Sequence, residues 1–158
     1  MKNQTDLPTI IQGGMGAAVS NWNLARTVSQ LGQLGVISGT GINTIMIRVL
    51  QDGDQGGHIR RALKSFPDQA VVTRVLDQFF LPEGRKGAKY KLGQLPAIVP
   101  GLGFQQTTVL GAFAEVFLAK ENHNGLIGMN LLEKLQTSTI PAIYGAMLAG
   151  VDLSLIHI

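Results

Sequence analysis

The sequence has no cysteine among its 158 residues. The chain can therefore form no disulfide, no thiolate metal site and no cysteine nucleophile, which fits the reducing cytoplasm. It also has no uninterrupted run of about 18 apolar residues, the length that a membrane-spanning helix requires. Its first ten residues lack the apolar segment of a secretory signal. We therefore expect a cytoplasmic chain with no membrane partner.

Charge is also sparse. Charged residues make up 15% of the chain, and the formal net charge is +3. The densest basic groups, at 60–64 and 85–91, do not form the single basic face or arm that is typical of nucleic-acid-binding proteins. We interpret both groups as solvated surface and predict no nucleic-acid partner.

Apolar residues and glycine are abundant by comparison. Apolar side chains account for 45% of the sequence, which excludes a disordered or fibrous class, and the length suits one domain. The 20 glycines show no regular period and lie where predicted elements end. That placement predicts many junctions between strands, loops and helices.

The first predicted unit is a strand, a glycine loop and a helix. A β-branched run at 9–12 predicts a buried strand. Apolar residues spaced three apart over 21–31 predict a helix, with Ser20 as its N-cap. The loop between them consists of Gly13, Gly14, Met15 and Gly16.

A second unit repeats this order. The apolar run at 34–37 predicts a strand, and a helix is predicted over 42–51. The loop between them consists of Ser38, Gly39, Thr40 and Gly41. Such alternation favours parallel strands joined by right-handed crossovers.

A long interruption follows at 53–103. Within it the pattern predicts helices over 59–65 and 68–80, then a surface loop at 82–103 with a short strand at 97–99. The segment has too little apolar periodicity for a core of its own. We therefore interpret it as an insertion into the repeat rather than a second domain.

Regular alternation resumes after the insertion. A helix is predicted over 107–121 and a third strand over 125–131. Thr139 as N-cap and Pro141 in the first helical position predict the start of a last helix. A fourth strand is predicted to begin at Val151.

These units predict an α/β fold with a parallel sheet. A closed (β/α)8 TIM barrel needs eight such units and about 250 residues. The chain shows three units and the start of a fourth. Periodicity alone therefore leaves two alternatives open, part of a barrel or a whole small doubly wound domain.

Seven stretches of the chain, in order, resemble nitronate monooxygenases, also called 2-nitropropane dioxygenases, and in particular a longer-chain branch of that family. They are residues 8–16 (PTIIQGGMG), 19–25 (VSNWNLA), 32–40 (GQLGVISGT), 52–63 (DGDQGGHIRRAL), 115–121 (EVFLAKE), 128–134 (GMNLLEK) and 144–152 (YGAMLAGVD). They are distributed in the expected order between residues 8 and 152.

The resemblance implies an FMN-dependent oxidoreductase with a (β/α)8 barrel fold. In that family the flavin takes electrons from an alkyl nitronate and passes them to O2, while the protein supplies orientation and a water-poor pocket. Residues 1–152 would then form the N-terminal part of one barrel domain. This part would be a partial TIM barrel that holds the first three to four βα units.

The resemblance ends after Asp152. We interpret the final residues, 153–158 (LSLIHI), as a non-native tail, and the alternative is a natural fourth strand. The family's catalytic histidine and its phosphate-binding loops belong to later strands. We therefore expect an inactive fragment with weak or no flavin binding, and we assign no catalytic residue.

Fold logic and the resemblance together indicate cofactor-binding residues at the ends of the strands. They are Gly13, Gly14, Met15, Gly16, Ser38, Gly39, Thr40 and Asn130. Glycine backbone would approach the flat flavin ring, and the Asn130 amide would bond the ring edge or the ribityl hydroxyls. The alternatives are a ligand-free turn for the first loop, an N-cap role for Thr40 and a turn or cap role for Asn130.

The remaining polar residues of interest receive structural interpretations. We interpret the histidines as surface or turn residues and the arginine pair as a solvated helix start rather than an anion site. We interpret the acidic and basic pair after Asn130 as solvated rather than part of the site. These residues are His58, His123 and His157, Arg60 and Arg61, and Glu133 and Lys134.

Two competing functions stay open. An FMN-dependent enoyl-thioester reductase of fatty-acid or polyketide synthesis would keep the fold and cofactor, and flavin reduction by NAD(P)H would favour it. A small non-catalytic α/β binding protein would be complete at this length, monomeric and free of flavin.

Overall fold

The structure is a computed structural model that describes residues 7–132 and 136–155. Six α-helices and three strands occur in the described part of the chain, which confirms the predicted α/β class. In chain order the elements are α1 (Trp22–Gln30), β1 (Gly35–Ser38), α2 (Ile42–Gln51), α3 (His58–Leu63), α4 (Gln69–Phe79), α5 (Leu102–Lys120), β2 (Ile127–Asn130), α6 (Gln136–Leu148) and β3 (Leu153–Leu155).

The strands form one parallel sheet in the order β1-β2-β3. Val36 is paired with Gly128, and Gly128 is paired with Leu153. The strands therefore lie side by side in the order in which they occur along the chain. Each connection returns the chain to the same end of the sheet, as parallel pairing requires.

The predicted strand at 9–12 is reduced to an isolated parallel bridge between Ile11 and Leu34. Leu34 N donates to Ile10 O at 3.1 Å, and Gln12 N donates to Leu34 O at 3.0 Å. The next backbone donor, Val36 N, bonds to the side-chain Oε1 of Gln12 at 2.9 Å rather than to a backbone carbonyl. The pairing ends there because the chain turns into the glycine loop.

Helices α1, α2, α5 and α6 pack on one face of the sheet, with α5 in the middle of their layer. Helix α5 contacts α1, α2, α3 and α6, and α1 contacts β1. Ile37 and Met129 belong to a buried cluster with helical residues such as Val116. Since side chains alternate along a strand, Val36, Gly128 and their neighbours two residues on lie on the opposite face.

The two helices of the 53–103 segment share a core with the rest of the chain. Leu63, Val75 and Phe79 pack in one buried cluster with Leu50 of α2 and Phe113 of α5. Helix α3 starts one residue before its predicted start and ends two residues before its predicted end, and α4 is one residue shorter than predicted at each end. The predicted strand at 97–99 was wrong, since this segment forms no strand and its Ile98 and Val99 side chains are exposed.

Three predicted helix starts were wrong. Asn21 caps α1, and its side chain accepts from Asn23 N and Leu24 N, whereas the Ser20 hydroxyl is used elsewhere. Helix α5 starts at Leu102, five residues before the predicted start. Thr139 and Pro141 lie inside α6, which already includes Gln136, so neither opens the helix.

The fourth predicted strand is present as β3, although it starts at Leu153 rather than at Val151. It follows Asp152, whose carboxylate accepts from Ile127 N at 2.8 Å and from Lys120 Nζ. The first half of the predicted tail therefore lies in register beside β2. Residues 156–158 lie outside the described part of the chain. Over the ranges described, no helix is long and apolar enough to cross a membrane.

Candidate functional site

The residues predicted to bind a cofactor lie at the carboxyl end of the sheet. Ser38 ends β1 and Asn130 ends β2, and the two are register partners. The Asn130 side-chain Nδ2 donates to Gly14 O at 2.9 Å, and Gly39 N donates to Asn130 O at 2.8 Å. Three segments that are distant in sequence therefore meet at one place.

A buried serine organises the glycine loop. The hydroxyl of Ser20 donates to Gly13 O at 2.9 Å and accepts from Met15 N at 3.1 Å. It also accepts from Gln12 Nε2 at 3.0 Å, and the same nitrogen bonds Gly13 O. Gly16 follows with a φ of +74°, a conformation that favours glycine.

Sequence reasoning missed this role of Gln12 and Ser20. The pattern indicated a strand residue and a helix cap. The available signal was a polar residue at the end of an otherwise apolar strand, where a buried amide needs partners.

The glycines of this loop serve different purposes. A Cβ on Gly14 would lie 2.5 Å from Val36 Cγ1 and 2.8 Å from Asn130 Cβ, so this residue has no room for a side chain. The absence of a side chain at Gly14 is therefore needed for the packing of this loop against the sheet. At Gly13 only Met15 Cγ would come near a Cβ, at 3.5 Å, and both residues are exposed.

The second loop lies against the first. Ser38 is buried, its N donates to Ser20 O at 2.9 Å, and its Oγ accepts from Thr40 N at 3.4 Å. A Cβ on Gly39 would lie 2.6 Å from Leu131 Cδ2. The alternative N-cap role for Thr40 was wrong, because Gly41 occupies that position in α2.

The arginine pair takes part in internal ion pairs. Arg60 bonds the buried carboxylate of Asp54 at 3.1 Å, and Arg61 bonds Glu121 at 3.0 Å. The Asp54 carboxylate also accepts from the backbone N of Ile59 and of Arg60, so it caps the start of α3.

The histidines lie apart from the glycine loops. The His58 ring is tilted against Trp22 at 5.1 Å, and His123 Nε2 lies 2.6 Å from Ala119 O. The predictions for Glu133, Lys134 and His157 fall outside the described residues.

Glu115 is a buried acid that sequence reasoning did not single out. Only 8% of the residue is exposed, and burial raises the pKa of its carboxyl to about 7. The Trp22 N–H, which donates to Oε2 at 2.6 Å, partly offsets this rise in pKa. The available signal was a lone acid in the apolar stretch 109–119.

The first loop fits one edge of a flavin, but the described site is not a complete FMN pocket. Gly13 offers exposed backbone, and the Met15 side chain lies beside it, as contact with a flat ring requires. The Asn130 amide is within reach of the same loop. No phosphate-binding loop lies beside these residues in the parts of the chain that the structure describes.

The geometry defines an α/β protein with a polar and glycine-rich edge at the carboxyl end of a parallel sheet. Comparison of the chain with protein-family models, with curated proteins and with solved structures finds no match.

The Gln12 side chain is expected to stabilise the arrangement of this site. Gln12→Leu removes the acceptor of the buried Val36 N and both bonds from Nε2, so we expect a loss of about 2 kcal/mol in the free energy of unfolding. Urea denaturation followed by circular dichroism measures it. Gln30→Leu, at an exposed position of α1, is the matched control and should change stability by less than about 0.5 kcal/mol. Equal effects of the two substitutions would contradict the role given to Gln12.

Proposed function

We propose that this chain forms the opening part of an FMN-dependent (β/α)8 barrel oxidoreductase of the nitronate monooxygenase type. The observation that carries the proposal is the hydrogen bond from Asn130 Nδ2 to Gly14 O at 2.9 Å. It joins the first glycine loop to the end of β2 at the carboxyl edge of the sheet. In barrel enzymes the active site lies at that edge.

The order of the strands also supports a barrel over a doubly wound domain. Doubly wound sheets reverse the strand order at a switch point and carry helices on both faces. Here the pairing runs from the bridge at Ile11 through β1 and β2 to β3 without reversal. The helices that contact the strands share one layer around α5.

In the proposed site the chain's own residues would hold one edge of the flavin. Gly13 would present backbone to the ring, Met15 would cover its face, and Asn130 would orient its edge. Ser38 and Thr40, from the second loop, would contact the flavin from the other side of the site. When bound, FMN supplies the electron transfer from an alkyl nitronate to O2. Other strands of the barrel would contribute the phosphate loop and the catalytic histidine.

The experiment extends the coding sequence downstream and compares two purified proteins, the 158-residue chain and the extended protein. We expect the extension to encode further βα units with a histidine and a late glycine-rich loop. The extended protein should bind FMN and consume O2 with propyl-2-nitronate, whereas the shorter chain should bind FMN weakly and show no turnover.

Asn130→Ala in the extended protein tests the site itself. Loss of one hydrogen-bonding group should weaken FMN affinity about tenfold, measured by flavin fluorescence. Asn124→Ala, in the exposed loop before β2, should leave the affinity unchanged.

Three other outcomes would overturn the proposal. A stop codon directly after Ile158, with a cooperative monomer that ignores FMN, would favour the small binding protein. Flavin reduction by NAD(P)H without nitronate oxidation would favour the enoyl-thioester reductase. An extended protein that binds FMN equally well with and without the Asn130 side chain would contradict the proposed site.

A further inference from the structure

A cavity of about 170 Å³ lies between α2, the start of α5, the start of α6 and the segment at 90–96. One water molecule needs about 10–15 Å³ of such cavity volume, so this cavity suits a ligand of several heavy atoms. Apolar and polar residues both line it, and the polar ones include residues at the start of α2. Of the eight residues assigned to the flavin, Gly39 is the one that also lines this cavity among the described residues.

The polar part of the lining includes the uncapped start of a ten-residue helix. Gly41 is the N-cap of α2, with a φ of +64° and no side-chain capping hydrogen bond. Among the residues described, the N–H groups of Ile42, Asn43 and Thr44 have no hydrogen-bond acceptor. Such N–H groups and the helix dipole together favour an anion at this end.

The Asn43 side chain gives an independent indication of a ligand. Only 8% of the residue is exposed, and it lines the cavity. Its amide has no hydrogen-bond partner among the described residues, and its polar atoms keep some surface that is accessible from the cavity. An amide in this state is ready to bond a group that enters the cavity.

A basic side chain borders the same space. Arg48 lies six residues after the first residue of α2 and lines the cavity. Its guanidinium lies over the Tyr90 ring at 5.1 Å and makes no salt bridge within the described part of the chain. The nearby Asp52 carboxylate is bonded by Arg85 and by the Tyr90 hydroxyl. The arginine therefore adds positive charge beside the helix start.

The cavity lining also contains a set of apolar side chains. Ile47, Leu92, Leu95 and Phe104 contribute to its lining. A ligand that contacts both the helix start and these side chains must combine an anionic head with a short apolar body. An inorganic ion alone would leave the apolar side chains without a partner.

We propose that this cavity binds a small organic phosphate monoester, with the phosphate at the start of α2 and the hydrocarbon against Ile47 and Phe104. The phosphate accepts from the N–H groups of α2 and from the Asn43 amide, and Arg48 neutralises part of its charge. This site does not depend on the flavin proposal.

Isothermal titration of the full chain with hexyl phosphate tests the proposal. We expect saturable binding with one site per chain, tighter than binding of inorganic phosphate by about tenfold or more, because burial of the hexyl chain adds affinity. Hexanol should show no saturable binding, because it lacks the charge that the helix start recognises.

Two variants and one control locate the site. Asn43→Leu and Arg48→Gln should each weaken hexyl phosphate binding about tenfold or more, since bonds to charged groups are the stronger ones. Lys64→Gln removes a positive charge at an exposed position away from the cavity and should change affinity by less than about twofold. Circular dichroism melts check that each variant is folded. If Asn43→Leu does not fold, Arg48→Gln still tests the proposal.

The opposite results would overturn the proposal. They are no saturable binding of hexyl phosphate, equal affinity for hexanol, or binding that Arg48→Gln leaves unchanged.

Discussion

Gly35→Ala is expected to destabilise the chain by about 3 kcal/mol or more. A Cβ at this position would overlap the backbone carbonyl of Ala25 in α1, because the helix crosses β1 with no room for a side chain. The neighbouring atoms of Ala25 are backbone, so they cannot move aside as the end of a flexible side chain can. Overpacking of this kind costs roughly 1–3 kcal/mol even where side chains can adjust. Urea denaturation of the variant and the parent chain measures the difference.

Gly128→Ala is the matched control for this substitution. Gly128 lies on the neighbouring strand, where a Cβ would meet Val36 Cγ2 at 3.4 Å and Leu153 O at 3.6 Å, which are ordinary contacts. We expect a change below about 1 kcal/mol, since volume is added without a backbone clash. Equal losses for the two variants would contradict the close packing of α1 on β1.

Glu115→Gln is expected to remove a large pH dependence of stability. The pKa of the Glu115 carboxyl rises from 4.5 in the unfolded chain to about 7 in the fold, because the group is buried. The folded state therefore disfavours the charged form. The contribution of Glu115 to stability is greatest below pH 4.5 and is lost as the pH rises through about 7, by up to roughly 3 kcal/mol.

The glutamine variant mimics the protonated acid. Its side-chain oxygen still accepts from Trp22 N, but it does not ionise. The parent should therefore lose stability relative to Glu115→Gln as the pH rises from about 4 to about 8. Denaturation curves at several pH values measure this shift. Glu83→Gln, at an exposed carboxylate, should show no comparable change. A parent and a Glu115→Gln variant with parallel pH profiles would contradict the buried, raised-pKa carboxyl.

The elements that sequence analysis predicted best are those with a local cause. Helix α2 was predicted over 42–51 and has these bounds, because its apolar spacing and the glycines before it act within one segment. Strand β1 and α4 were found within a residue or two for the same reason. The local sequence pattern was therefore sufficient to predict the bounds of these elements.

Three of the wrong predictions involve a distant partner. The strand at 9–12 gives way after one bridge because the Gln12 side chain replaces a backbone acceptor for Val36. Ser20 does not cap α1 because its hydroxyl bonds the glycine loop. Helix α5 starts early because Gln94 Oε1, from the preceding loop, accepts from Phe104 N in its first turn.

The candidate site was predictable in its position and not in its contacts. Parallel strands place all their carboxyl ends together, so the glycine loops and Asn130 had to share one edge of the sheet. Two contacts depended on how the loop folds back over the sheet. They are the hydrogen bond from Asn130 to Gly14 O and the packing of Gly14 on Val36.

The sequence by itself determined the alternation of glycine-ended strands and helices, and with it the α/β class and the edge where polar residues gather. Tertiary structure alone decided the raised pKa of Glu115, the unpartnered amide of Asn43 and the need for glycine at Gly35. The reason is that solvation and steric room depend on neighbours that are remote in the chain, and no local pattern specifies their distances.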